Sequence, residues 1–194
     1  MNVDDLLEKQ LEAQKLSYAN SEVRVLVLKD YPKILTPGLE IELTRGSEVL
    51  LPRWLAKDLK RKGIVEVKER KLTLKDVSKI AFLETRYIRK PPSEMLTLPE
   101  NFYQKLREYL TELRAKISEK PTVELINEHT RLLSYIYDIL RSRIQKILIL
   151  AQLGEDVKDV LSKLAPEELI LYKSIRNTIE KWQKIVLGIE EILI

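Results

Sequence analysis

Few groups in this 194-residue chain could do covalent or metal chemistry. There is no cysteine, which excludes disulfides, thiolate zinc sites, iron–sulfur clusters and a cysteine nucleophile. His129 is the single histidine, so a multi-histidine metal site is excluded and a Ser-His-Asp triad could use only that ring. Its neighbours Arg131, Leu132 and Leu133 mark it as one polar residue on a packed helix. Neither G-x-x-x-x-G-K-[ST] nor G-x-G-x-x-G occurs, and Gly38, Gly46, Gly63, Gly154 and Gly188 are too scattered to cradle a phosphate. Adjacent carboxylates, Glu167–Glu168 and Glu190–Glu191, read as helix-end or surface residues. Consecutive side chains diverge on a helix, so such pairs are poor acid–base couples. No catalytic, cofactor-binding or metal-ligating residue is assigned, and no cofactor is expected.

The charge distribution says more. The formal net charge is +4, but from Arg53 to Lys90 thirteen basic residues face five acidic ones, a local +8 that leaves −4 for the rest. Such segregation points to an anionic partner, either nucleic acid or an acidic protein face. The expected surface comprises Arg53, Lys57, Lys60, Arg61 and Lys62. The alternative is a solvated helix surface with no partner. A nucleic-acid-binding module built on residues 53–90 would have only Trp54 and Tyr87 for base stacking. Its DNA contact would be weak and salt-sensitive.

The N-terminus "MNVDDLLEKQ" is acidic and has no secretory apolar core. In the second half the longest purely apolar run, Ile147 to Ala151, falls far short of the ~20 residues that span a bilayer. These features predict a soluble intracellular protein without membrane contact. Abundant Lys, Glu, Ile and Leu without cysteine hint at a thermophile.

The elements that must carry these residues divide into two kinds, and the expected class is α+β. Residues 1–20 are expected to be a mobile extension, with a short helical stretch over 3–17 whose apolar stripe is poor. A small β-rich domain follows over 21–90. "EVRVLVLKD" and "LEIEL" alternate apolar and polar residues, and "EVLL" and "IVEV" give two further short strands. Between the last two, "PRWLAKDLKRKG" reads as a short helix. Pro52 suits its first position, Leu51, Leu55 and Leu59 share a face, and Gly63 is a left-handed stop. Lys60, Arg61 and Lys62 favour the helix dipole, so helix chemistry partly explains the basic cluster.

From Thr73 the pattern is helical. Thr73 and Asp76 resemble a capping box. "RKPPSEMLTLPE", Arg89 to Glu100, forbids regular helix and is taken as the domain boundary. The helical domain, 91–194, has helices opening at Pro99, Pro121 and Pro166 and a shorter one over "GEDVKDVLSKL". In the last helix Tyr172, Ile175, Ile179, Trp182, Val186, Ile189 and Leu193 alternate spacings of three and four, a heptad-like seam. Leu171, Ile185 and Ile192 widen it. The long middle helix is also apolar on more than one side. Such a stripe is either bundle core or a helix–helix interface, and its excess favours an interface with another chain.

The order of these pieces resembles the GINS subunits. "RGSEVLLPRWLAKDLKRKGIVEV" looks like their small β-domain, and "TLPENFYQKLREYL" is similar to the segment opening their helical domain. In "IYDILRSRIQKIL", Arg143 and Lys146 hold an R-x-x-K spacing of the middle helix. "LAPEELILYKSI" is similar to an "L-T-x-E-E-x-x-L-Y" turn of archaeal relatives, with Ala165 replacing threonine. The β-first order resembles the two/three type as against the five/one type. The resemblance implies a non-enzymatic scaffold of DNA replication, cytoplasmic in archaea or nuclear in eukaryotes. It implies a tetramer with a five/one-type subunit, assembled through the helical domains. It also implies binding to the MCM helicase and a Cdc45 or RecJ-like protein, with primase and polymerase contacts in some lineages.

Overall fold

The computed structural model describes residues 3–36, 39–86, 91–153 and 158–188. It is an α+β chain in two compact units, one of residues 13–71 and the other of 1–12 with 72–194. No helix among the described residues is long and apolar enough to cross a membrane.

Helix α1, Val3–Asn20, is continuous over 18 residues, longer and more regular than the expected mobile extension. No glycine or proline interrupts it, and Leu, Glu, Lys, Gln and Ala are strong helix formers. Three antiparallel strands follow one another in space as β4 (Glu48–Pro52), β1 (Glu22–Val27) and β5 (Val65–Val67). The register pairs Val23 with Leu51 and Val25 with both Val49 and Val67. A second, two-stranded sheet joins β2 (Tyr31–Thr36) to β3 (Leu39–Leu43). Strand β2 was not legible, because Pro32 argues against a strand. The register slips between Tyr31 and Ile34, which accommodates a residue without a ladder donor.

Helix α2, Arg53–Arg61, buries Leu55, Ala56 and Leu59 in the core of this unit, against Val23, Val25, Leu43 and Leu51. Pro52 stands just before the helix with extended backbone, one residue earlier than expected. The stop forms as expected. Gly63 adopts φ 66°, its N–H donates to Lys60 O (2.9 Å), and the N–H of Ile64 donates to Leu59 O (3.0 Å). This is the Schellman pattern.

Helix α3, Leu74–Arg86, is capped reciprocally by Thr73 and Asp76, with N–H to side-chain oxygen distances of 3.0 and 3.3 Å. It belongs to the helical unit, where Val77, Ile80 and Ala81 share a core with Phe102, Leu106 and Leu132. The two units therefore divide between Lys71 and Leu72, not in the proline-rich stretch. Proline breaks a helix there without freeing the chain. Pro92 opens a single 3-10 turn to Glu94, and Pro92, Met95 and Leu98 are buried. Helices α4 (Phe102–Glu119), α5 (Val123–Gln152), α6 (Lys158–Leu161) and α7 (Pro166–Leu187) complete the unit.

Candidate assembly surface

Helix α7 starts where its sequence demands. Pro166 fixes the first turn, and Glu168 Oε2 accepts from the Ala165 N–H at 2.9 Å. Ala165 has no side-chain acceptor to return the bond, so only half of a capping box exists. Gly188 ends the helix at φ 63°.

The seven-residue seam does not behave as one surface. Tyr172 is buried with Met95, Ile147, Leu150 and Leu164, and Ile175 and Ile179 pack half-buried against that cluster. Tyr172 is therefore core and not available to a partner, contrary to its place in the expected interface. Beyond Ile179 the bundle no longer covers the helix. Trp182 is 62% exposed, Ile185 71% and Val186 58%. Ile189, Leu193 and the pair Glu190–Glu191 lie outside the described residues. The 3-4 spacing is continuous, but it cannot tell where the neighbouring helix stops. On α5, Tyr137, Ile144 and Leu148 are also exposed.

Beneath this apolar exterior lies a cluster of charges. On α5, Arg143 and Lys146 are each 1% exposed, as are the nearby Ile139, Ile147 and Leu150 of the same helix. Glu84 of α3, wholly buried, accepts from Arg143 Nη1 at 3.1 Å and from Lys146 Nζ at 2.7 Å. Ser142 donates to both the Glu84 carboxylate and its backbone carbonyl, each at 3.0 Å. Glu168 of α7 takes a bidentate pair from Arg143, Nε at 2.7 Å and Nη2 at 2.5 Å. Arg143 Nη1 also donates to Leu96 O at 2.6 Å, which ties in the proline-rich stretch. Tyr103 donates to Glu168 at 2.5 Å.

Two carboxylates and two cations thus neutralise one another. No buried side-chain nitrogen or oxygen among the described residues lacks a partner. Burial, followed by the charge and hydrogen bond of Glu168, holds the Tyr103 phenol well above its ordinary range. Burial alone would lower the Arg143 guanidinium, but Glu168 and Glu84 outweigh it and raise it further. The cluster has the residue types of a catalytic site but no solvent access for a substrate. Its geometry locks α3, α5, α7 and the Leu96 segment in one arrangement. The i, i+3 spacing of Arg143 and Lys146 on the apolar face of α5 was the available signal, since charges placed there require buried carboxylates. Glu168 is one of those carboxylates and not a surface residue.

Of the expected basic surface, Lys57, Lys60, Arg61 and Lys62 are exposed and Arg53 is half-buried. Arg53 is committed inside its own unit. It donates to Ser21 Oγ (3.0 Å) and, in a bidentate pair, to Glu69 (2.5 and 2.9 Å), while its guanidinium lies 4.5 Å over the Tyr18 ring. Arg61 pairs with Asp58, and the Lys62 amine lies 6.0 Å from the Tyr31 ring centroid. Lys57 and Lys60 are exposed and make no ion pair among the described residues. The basic run is also divided between the two units, and Tyr87 lies outside the described residues. His129 is half-buried on α5 and accepts from Arg114 Nε at 3.5 Å. No group of three or more His, Asp or Glu among the described residues could hold a metal ion.

Residues 79–193, more than half of the chain, match the family model described as the GINS complex subunit Psf2/Psf3-like N-terminal domain. That match begins inside α3, within the helical unit. No curated protein matches the chain.

Proposed function

The chain belongs to the GINS Psf2/Psf3-like family, and from that premise we propose that it is a non-catalytic scaffold subunit of the replicative GINS complex. Its helical unit joins a five/one-type subunit in a tetramer. The assembled complex binds the MCM helicase and a Cdc45 or RecJ-like protein, with primase and polymerase as further contacts. One observation carries the assembly step: Trp182, Ile185 and Val186 stand exposed at the end of a helix whose first half is packed. Large apolar side chains clustered on a surface mark a protein–protein contact, and a tryptophan at its centre is the usual anchor.

Trp182→Ala in the full chain, co-expressed with the five/one-type subunit, tests this. With 62% of Trp182 exposed, a side chain of roughly 200 Å² leaves about 125 Å² to be covered, worth at most about 3 kcal/mol or ~150-fold in Kd. The expected result is a folded chain whose tetramer, read by native mass spectrometry, dissociates at concentrations where the wild type holds. A wild-type chain that remains monomeric with its partner present overturns the proposal.

A further inference from the structure

The outer face of α5 carries a second seam, distinct from the end of α7. Ile126, Tyr137, Ile144 and Leu148 recur at spacings of 11, 7 and 4. At about 100° per residue these fall within an arc of roughly 40°, and the seam runs about 33 Å along the helix at ~1.5 Å per residue. All four are exposed, Tyr137 to 70%. A narrow, long seam is the footprint of another helix, because spacings of 7 and 11 keep one helix in register with a second.

One charged residue flanks the seam. Arg141 lies between Tyr137 and Ile144 along the helix, about 20° beyond the edge of that arc, is exposed, and makes no ion pair among the described residues. Its neighbours on α5, Arg143 and Lys146, are by contrast fully paired. Covering Tyr137, Ile144 and Leu148 with a helix also covers the guanidinium, and a charge taken out of water unpaired is strongly unfavourable. We infer that the α5 seam is covered by a helix of the partner subunit that presents an Asp or Glu opposite Arg141. A single charged position beside an apolar seam fixes register and partner choice more than it adds affinity. This inference rests on the assembly reading above and adds a second face and the chemistry of its occupant.

The test measures tetramer dissociation, by native mass spectrometry, for the full chain with its five/one-type subunit. Arg141→Met removes the charge and keeps the bulk. If a carboxylate faces Arg141, this change strands it, and assembly weakens at least tenfold; Arg141→Lys recovers part of the loss. Ile144→Glu on the same seam also weakens assembly, while the melting temperature of the isolated chain stays unchanged for all three variants. Arg141→Met assembling as tightly as wild type, or tighter, overturns the carboxylate. Ile144→Glu assembling normally overturns the seam itself. Either result leaves the assembly reading standing if the wild type still forms a tetramer. A homodimer of the isolated chain that Ile144→Glu dissolves assigns the covering helix to a second copy, with Asp138 as the acid, and overturns the partner assignment.

Discussion

Glu84→Gln isolates the part of the helical unit that apolar packing cannot explain. The change keeps the shape of the side chain and an oxygen for Ser142, but removes the charge that Arg143 and Lys146 share. Arg143 retains the bidentate Glu168 pair and Leu96 O. Lys146 retains no carboxylate, since its ion pair is to Glu84. It is left as a cation at 1% exposure. Removing one member of a buried pair costs roughly 3–5 kcal/mol, because the other is left as an uncompensated charge. Urea unfolding of wild type and variant at pH 7 measures the deficit. The second change Lys146→Met, made in the Glu84→Gln background, removes the stranded cation and restores much of the loss. A deficit below about 1 kcal/mol refutes this account of the cluster, as does a large deficit that does not respond to Lys146→Met.

Two further outcomes follow from the geometry. Tyr103 holds its proton in the folded chain well above the ordinary tyrosine value of about 10, chiefly through burial and then through Glu168. The stabilisation is fully present below pH 10 and is lost as pH rises beyond it. The thermal midpoint should therefore fall above pH 10, and Tyr103→Phe should flatten that fall, with Tyr109, also raised, supplying a remainder. Arg53→Ala should destabilise the β-containing unit by about 2 kcal/mol, the scale of hydrogen bonds to charged groups. Lys60→Ala should stay within about 0.5 kcal/mol. Equal effects in urea unfolding would show that Arg53 is not the structural tie its contacts to Glu69, Ser21 and Tyr18 describe.

Periodicity and punctuation were legible wherever the deciding interaction is local. Strand β3 has the bounds of "LEIEL", the Schellman stop stands at Gly63, and the α3 cap is made by the two residues whose types announce it. What was not legible depends on residues far apart in the chain. Pro32 hid β2 because only the pairing with β3 shows how the slip absorbs it. The proline-rich stretch looked like a boundary because its prolines are visible, whereas its burial depends on Met95 sharing a core with Ile147 and Leu98 sharing one with Leu132. Arg53 looked like a partner residue until Glu69, sixteen positions away, claimed it. Trp182 could equally have been core or surface, since a seam specifies a face and not the length of the helix that covers it.

The helical unit buries part of its charge and exposes part of its apolar surface, against the usual arrangement. A self-sufficient bundle hides isoleucine and tryptophan and leaves arginine, lysine and glutamate in water. Here Glu84, Arg143, Lys146 and Glu168 occupy the interior, while Trp182, Ile185, Tyr137 and Ile144 face outward. A buried ion network is weak support for stability, since apolar residues of the same volume would often do as well. Its directional bonds, however, hold α3, α5 and α7 in one relation even where apolar side chains are not spent on doing so. Those side chains are then free to line the outer faces of α5 and α7. On the assembly proposed above, a chain arranged this way forfeits some stability when alone and regains it when another helix covers those faces.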